Sequence, residues 1–397
     1  MYYRRSNKVD VLVYIEEFDK NGKFVLFDFI DSNMLNLFTN YGNLSYNLSR
    51  PSMVLLKNYN LKTIQENTIY TIKKEIIDGW RNLNLINIED NSFLIGYNIE
   101  LLKNKLEIFS EPVSLRSSQK YIIKGNGNSV NKIPKLKNKL SVTIRDVGQG
   151  NWNEIKSNDE IKLVYDAGGP INASKNDIIR IIGNRNTIYS KTKPGLILSH
   201  WDKDHYHSLI GMNNKELSNF SYFVCRDYIP NLTSITLFNR IRSAVGITNT
   251  ITISSIVKAT KRSPTHLIPI TPVSSPVVIF NSEQHKNRNI SGIVLLVKTK
   301  QSSIVLPGDC HYEQISRDIL PKINYSNQHY LVVPHHGGKA GPYIYNLPRF
   351  LSPDKAIISV GTNNHGHPKR QYIRALELNR FNVMQTQKLN KDITINL

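Results

Sequence analysis

The nonapeptide Ser199-His200-Trp201-Asp202-Lys203-Asp204-His205-Tyr206-His207, set directly behind the apolar run Leu196-Ile197-Leu198, restricts this chain more than any other stretch. The apolar run reads as a buried strand. A strand fixes its last residue, while the loop beyond it is free to turn side chains into a common crevice. Taken as an extended turn, the alternate residues His200 and Asp202 face one ion, and Asp204 and His205, beyond the bend, face a second. Imidazole with carboxylate is the ligand set of zinc, manganese or iron in a hydrolytic site that keeps positions open for water. In a chain of 397 residues, a chance His-x-Asp-x-Asp-His is expected at about the one-in-a-thousand level. The competing reading is a solvated acidic turn with two incidental histidines.

Composition narrows the chemistry further. Only two cysteines, Cys225 and Cys310, are present, too few for a disulfide framework or a thiolate zinc site, so any metal is held by imidazole and carboxylate. The formal charge is +20, and it is unevenly placed: residues 1–100 carry 11 Lys/Arg against 12 Asp/Glu, which leaves +21 on residues 101–397. Such a field attracts polyanions through steering and counterion release. An Asn-, Ile- and Lys-rich bias from AT-rich coding gives the same charge without any binding role. The sequence shows no apolar run of bilayer length and no signal core after Met1-Tyr2-Tyr3-Arg4-Arg5, so the expectation is a cytoplasmic protein without membrane insertion.

Along the chain, residues 1–115 alternate short β-like runs, Val11–Ile15 and Phe24–Phe27 among them, with polar connections, and a helix is expected over Ile64–Leu83. This β-rich N-terminal domain contains no histidine, and its expected role is recognition, contact with a protein partner, or support. Residues 116–139, with Lys124-Gly125-Asn126-Gly127-Asn128, read as a linker. From 140 to 397 the pattern is α/β. Strands are expected at Leu140–Ile144, Ile161–Tyr165, 196–198, Leu331–Val333 and Ala356–Val360, with a hairpin joining Val294–Val297 to Ser303–Leu306, and their ends bear polar residues.

At this point the chain resembles the metallo-β-lactamase superfamily over residues 140–375, and within it the ComEC-like branch of DNA-uptake competence proteins. That branch has an aspartate at the second ligand position, as here at Asp202. Asp146-Val147-Gly148-Gln149-Gly150 resembles its opening strand-and-turn motif, with Asp146 behind the ligands. Asp166, in Tyr165-Asp166-Ala167-Gly168-Gly169, matches the aspartate that orients the ligand loop. Gly308-Asp309 matches the motif whose carboxylate bridges two metals, Pro334-His335-His336-Gly337-Gly338 the late histidine motif, and Gly366-His367-Pro368 the last one. Six motifs in order are far more specific than one.

Two departures stand out. The opening motif continues Gly150-Asn151-Trp152 where the family has Gly-Asp-Ala, so a carboxylate is replaced by an amide. The middle histidine of many members has Asn289 as its nearest counterpart, which leaves the first metal position weak or empty.

The resemblance implies a metallo-β-lactamase αββα sandwich that binds one or two divalent ions, Zn2+ or Mn2+, through His200, Asp202, Asp204, His205, Asp309 and one of His335 and His336. It does not rank those two. Asp204 orients the attacking water, and His367 protonates the leaving oxygen or serves as a structural loop histidine. His207 lies either behind the ligands or at the surface. Lys339, Lys369 and Arg370 are placed to neutralise a substrate phosphate. Cys310 reads as a packing residue, and His266, His285, His311, His329 and His365 are given no role. The activity implied is phosphodiester hydrolysis of DNA or RNA. The alternatives are hydrolysis of a small cyclic nucleotide, phosphoester or lactone, and a non-catalytic scaffold acting through protein partners.

Overall fold

The computed structural model describes residues 9–19, 23–44, 51–59, 64–88, 94–102, 108–110, 112, 113, 136, 139–257, 264–285, 287–323, 328–363 and 366–397. The expected linker falls almost wholly outside the described residues, as does His365. Contacts divide the chain into two compact units, Met1–Tyr121 with Ile229–Thr236, and Ile122–Tyr228 with Leu237–Leu397. No helix among the described residues is long and apolar enough to cross a membrane.

The first unit is a six-stranded sheet of β1 (Val11–Asp19), β2 (Phe24–Phe29), β3 (Met53–Lys57), β4 (Thr68–Ile72), β5 (Ile86–Ile88) and β6 (Ile95–Glu100), in the order β4-β1-β2-β3-β6-β5. Helices α1 (Ser32–Gly42) and α2 (Lys74–Asn82) complete it. Asp31 caps α1 by accepting from the Met34 amide at 3.0 Å, and Asn43 ends it in the left-handed region. Its core is aromatic, with Phe27, Phe29, Phe38, Tyr59, Tyr70 and Phe109 packed with Val13, Leu56 and Ile99. The helix expected over Ile64–Leu83 is a strand followed by a helix. Asn67 turns the chain at φ 60°, and the β-branched run Thr68-Ile69-Tyr70-Thr71-Ile72 pairs with β1. Only Lys74–Asn82 is helical.

The second unit holds two seven-stranded sheets. One comprises β7 (Leu140–Ile144), β8 (Asn153–Ser157), β9 (Glu160–Tyr165), β10 (Gly195–Ile197), β11 (Phe223–Arg226), β12 (Thr250–Ile253) and β20 (Ile393–Asn396), in the order β12-β11-β10-β9-β8-β7-β20. The other runs in sequence order through β13 (Leu267–Pro269), β14 (Val277–Ser282), β15 (Ile293–Lys298), β16 (Ser302–Leu306), β17 (Gln328–Val332), β18 (Ser352–Ile358) and β19 (Asn382–Gln385).

Alternation along β15 shows the layering. Ile293, Leu295 and Val297 join Val142, Leu163 and Val224 in one core between the sheets. Val294 and Leu296 face the other way, into a core shared with Tyr372 and Leu376 of the helix Arg370–Leu378. A strand covered on both faces reads as an unbroken apolar run, as Ile293–Val297 does. On the opposite outer face, Phe223 of β11 meets Trp201 and Phe238, with ring centroids 6.2 and 6.3 Å apart, and Phe238 belongs to the helix Leu232–Val245. Helix α5 (Lys203–Gly211) belongs to the same side, its Tyr206 ring meeting that of Trp201 at 5.9 Å; α3 (Lys175–Ile182) packs on α5, and α4 (Arg185–Thr192) packs on β9. The result is the αββα sandwich that the resemblance implies.

Strands β9, β10, β11 and β12 are mutually parallel, and so are β16, β17, β18 and β19. Parallel strands bring their carboxyl ends, and the loops that follow them, to one rim. There the two sheets are tied directly. The Ile293 amide donates to Ser199 O at 2.9 Å, and Tyr165 Oη donates to Ile293 O at 2.7 Å.

Candidate metal centre

Asp166 leaves β9 with φ 59° and is fully buried. Its Oδ1 accepts from the Ser199 amide at 2.7 Å, and its Oδ2 from Ser199 Oγ at 2.9 Å, Asn151 Nδ2 at 2.9 Å and His205 Nδ1 at 2.8 Å. Asn151 is therefore a donor to this carboxylate. An aspartate in its place would set two anions against each other in a buried site.

The extended turn expected at His200 and Asp202 passes at Lys203 into helix α5, and the bend expected beyond it is the start of that helix, which places Asp204 and His205 in its first turn. A carboxylate there is favoured by the unsatisfied amides of the helix start. Asp202 stands at the N-cap without capping the helix, its side chain being committed elsewhere. The turn is laced to its neighbours: Asn151 N donates to Asp204 O at 3.0 Å and Ala167 N to His205 O at 2.8 Å. Gly168 has to be glycine, because a Cβ there would lie 1.6 Å from Asp204 O.

The second sheet supplies the rest. Gly308, at φ 56°, turns the chain after β16 and aims Asp309 inward. After β17, His335 and His336 are both left-handed, at φ 52°, a conformation uncommon for residues with a Cβ. Two clusters able to hold a metal ion result, His200 with His205 and Asp309, and Asp204 with His205 and His336. His205 Nε2 lies 3.1 Å from Asp309 Oδ1 and 3.9 Å from Asp204 Oδ1. His336 Nε2 lies 3.1 Å from Asp204 Oδ2, and His200 Nε2 3.7 Å from Asp309 Oδ2.

In each imidazole the other nitrogen is occupied. His205 Nδ1 donates to Asp166, His336 Nδ1 donates to Ser359 O at 2.7 Å, and His200 Nδ1 is 3.0 Å from Ser199 Oγ. This fixes Nε2 as the atom presented to the centre. The Nε2 atoms of His200, His205 and His336 and Oδ1 of Asp309 are buried and make no hydrogen bond, a strong exception to the rule that buried polar atoms are satisfied. That pattern fits a cation.

The charges agree. Burial works against a protonated His205, yet Asp309, Asp166 and Asp204 outweigh it and hold its pKa well above the ordinary value. Burial likewise opposes ionised Asp204, but His205, His336 and Lys203 keep its pKa well below the usual carboxylate range. His207 is not at the surface: it is fully buried, its Nδ1 donates to Pro170 O at 2.7 Å, and burial lowers its pKa to about 4.

The remaining sequence-derived residues are placed as follows. Asp202 belongs to neither cluster. Its Oδ2 is 3.3 Å from His200 Nε2, and its Oδ1 is paired at 2.8 Å with Arg288, a buried guanidinium that the sequence reading missed. Asn289 is nearly buried, and its Oδ1 makes no hydrogen bond. Asp146 is half-buried, outside both clusters, and its amide donates to Asp392. His335 is 28% exposed, 3.8 Å from Asp309, with its ring set edge-on to that of His367 at 5.2 Å.

Pro368 and His367 lie against the Gly337-Gly338 turn, where a Cβ on either glycine would collide with them. Lys369 donates its amide to Gly337 O. Lys339, Lys369 and Arg370 thus flank this turn, with Lys339 and Arg370 exposed. Cys310 is buried and free, its thiol pushed up to about 12 by burial, as suits a packing residue. His329 is enclosed by Ser303 and Tyr345, and His266 pairs with Asp318 at 3.0 Å.

No family model matches the chain, and no curated protein matches it. Among solved structures it is similar to the metallo-beta-lactamase fold protein YhfI from Bacillus subtilis, with TM-score 0.35 and 13% identity over 66% of this chain and 100% of that one. It is also similar to a long form RNase Z from yeast, with TM-score 0.31 and 11% identity over 87% of this chain and 58% of that one.

Proposed function

We propose that the chain is a metal-dependent hydrolase of phosphodiester bonds in DNA or RNA. The observation that carries this reading is the convergence of three buried Nε2 atoms, each aimed by a bond at Nδ1, on the carboxylates of Asp204 and Asp309. A buried polar atom left without a partner costs roughly 1–3 kcal/mol, so several in one place support a bound cation as the partner they share. His205, His336, Asp204 and Asp309 would hold the ion, Zn2+ or Mn2+, with His200 beside them. When bound, such an ion lowers the pKa of a water molecule and polarises a phosphoryl oxygen.

The chain's own residues divide the rest of the work. Asp204 orients the water, Asp166 holds His205 in its tautomer, and His367 at the rim delivers a proton to the leaving oxygen. Lys339, Lys369 and Arg370 meet the phosphates, in keeping with the net +21 of residues 101–397. The ComEC-like likeness at Asp202 supports the nucleic-acid substrate. A cytoplasmic setting, a partner-binding β-rich domain over 1–115 and a hydrolase domain over 140–397 belong to the same reading.

The test is cleavage of labelled single-stranded DNA, double-stranded DNA and RNA by chelator-treated protein reloaded with Mn2+ or Zn2+. Metal-dependent cutting of one polymer is expected, and Lys339→Ala should lower the salt slope of polymer binding by about 1. Turnover of a small phosphodiester with no polymer cut would favour a small-molecule substrate. Protein that gains neither bound metal nor thermal stability from these ions would be a scaffold.

A further inference from the structure

We propose that Arg288 acts as a permanent cation in the first half of the metal centre, so that the chain holds one metal ion and not two. The inference rests on the reading of the site as a metal centre and concerns how that centre is filled.

Arg288 is walled in: its side chain is 7% exposed, Nη1 donates to Trp201 O at 2.7 Å, and Nη2 pairs with Asp202 Oδ1 at 2.8 Å. Trp201 itself is buried against Tyr206, Phe223 and Phe238. The guanidinium is thus hydrogen-bonded to a backbone carbonyl and ion-paired with a carboxylate oxygen that makes no hydrogen bond. It stays charged at every working pH, and a low local dielectric strengthens its repulsion of any second cation beside Asp202.

The ligand arithmetic points the same way. The two clusters share His205 Nε2, and that nitrogen has a single lone pair to give. If it serves the ion with Asp204 and His336, the other half retains His200 and the shared Asp309. Asp202 sits with the guanidinium, and the neighbouring position that would supply a further imidazole is the amide Asn289. Two protein ligands fall short of the three that zinc sites of this kind use.

The assignment gives Arg288 a positioning role, holding Asp202 and balancing the charge of Asp202 and Asp309 where a second ion would otherwise do so. Metal loading should then be a single event without cooperativity.

The deciding experiment is titration of chelator-treated full-length protein with Mn2+, followed by elemental analysis and electron paramagnetic resonance. Wild-type protein should bind one equivalent and give the six-line signal of an isolated ion even with excess metal. Arg288→Met, which removes the charge at similar length, should gain a second equivalent with an exchange-coupled spectrum. Asp202→Asn should retain one equivalent and provides the test if the methionine variant does not fold; a loss of Mn2+ affinity beyond about 100-fold in it, more than an orienting residue accounts for, would make Asp202 a ligand and overturn the assignment. Two coupled ions in wild-type protein would overturn this inference alone. No ion in wild-type protein would overturn the metal-centre reading together with it.

Discussion

Buried carboxylates occur in both units, and their surroundings differ. Asp28 in the first unit accepts from Ser52 Oγ at 2.7 Å, Phe29 N at 2.8 Å and Thr233 N at 2.9 Å, all donors of its own unit. Burial raises its pKa in spite of them. Asp309 in the sandwich leaves Oδ1 without a hydrogen bond and faces imidazoles, and although burial opposes its charge, His205, His335 and His200 hold its pKa far below the usual range. A fold that needs a buried carboxylate for its own sake satisfies it with fixed donors. One that surrounds it with groups able to exchange a proton for a cation has kept its coordination open.

The contrast breaks most sharply at Asp309. Asp309→Ala should lower turnover by roughly 10^2–10^3-fold and remove bound metal while circular dichroism stays native; retained metal and activity would show that this carboxylate is structural, like Asp28. Asp166→Ala, which frees His205 Nδ1, should weaken metal affinity by about 10–100-fold in competition with a chelator. Asp28→Ala should do the converse. It removes the acceptor of the Thr233 amide and one of the two partners of Ser52 Oγ, which keeps Thr233 Oγ1 at 2.9 Å, at a cost of about 1–3 kcal/mol of stability, with metal content unchanged.

The smallest effect is on pH. In chelated protein the raised pKa values of His205 and His336 give stability that is complete below about 6.5, their value in an unfolded chain, and is lost as pH rises through the folded values. The depressed carboxylates Asp202, Asp204 and Asp309 contribute above about 3.9 and lose that contribution as pH falls through their folded values. Melting temperature without metal should therefore decline above about pH 6.5, and Mn2+ should restore it. A metal-free melting temperature that climbs across the neutral range would contradict this balance.

Local pattern carried a good deal of this structure. Leu140–Ile144 forms the strand expected, and the hairpin across residues 299–301 joins Ile293–Lys298 to Ser302–Leu306, because apolar runs bounded by turns leave few alternatives. The Ile64–Leu83 expectation missed a turn and a break: the left-handed Asn67 leads into the strand Thr68–Ile72, and the extended Lys73 separates that strand from the helix Lys74–Asn82, neither of which periodicity alone reveals. At the site, the motif residues 200, 204, 205, 309 and 336 converge, since each follows a strand end.

What was hidden depended on contacts across the fold. Arg288 lies in an Asn-rich loop with no motif, and its partner is 86 positions earlier. Asn151 read as a carboxylate lost, and only the fold shows its amide serving Asp166. Both His335 and His336 have Nδ1 against a backbone carbonyl, and what sets them apart is position: buried His336 falls in a cluster with Asp204 and His205, while His335 is 28% exposed and 3.8 Å from Asp309.

The candidate ligands come from both halves of the sandwich, His200 and His205 from the segment that follows a strand of one sheet and Asp309 and His336 from segments that follow strands of the other. An ion seated among them would be a rivet as well as a reagent. At one hundred times its dissociation constant it would fasten the seam by about 2.7 kcal/mol, and metal starvation would be felt as a loosening at the open edge while the apolar interior stayed closed.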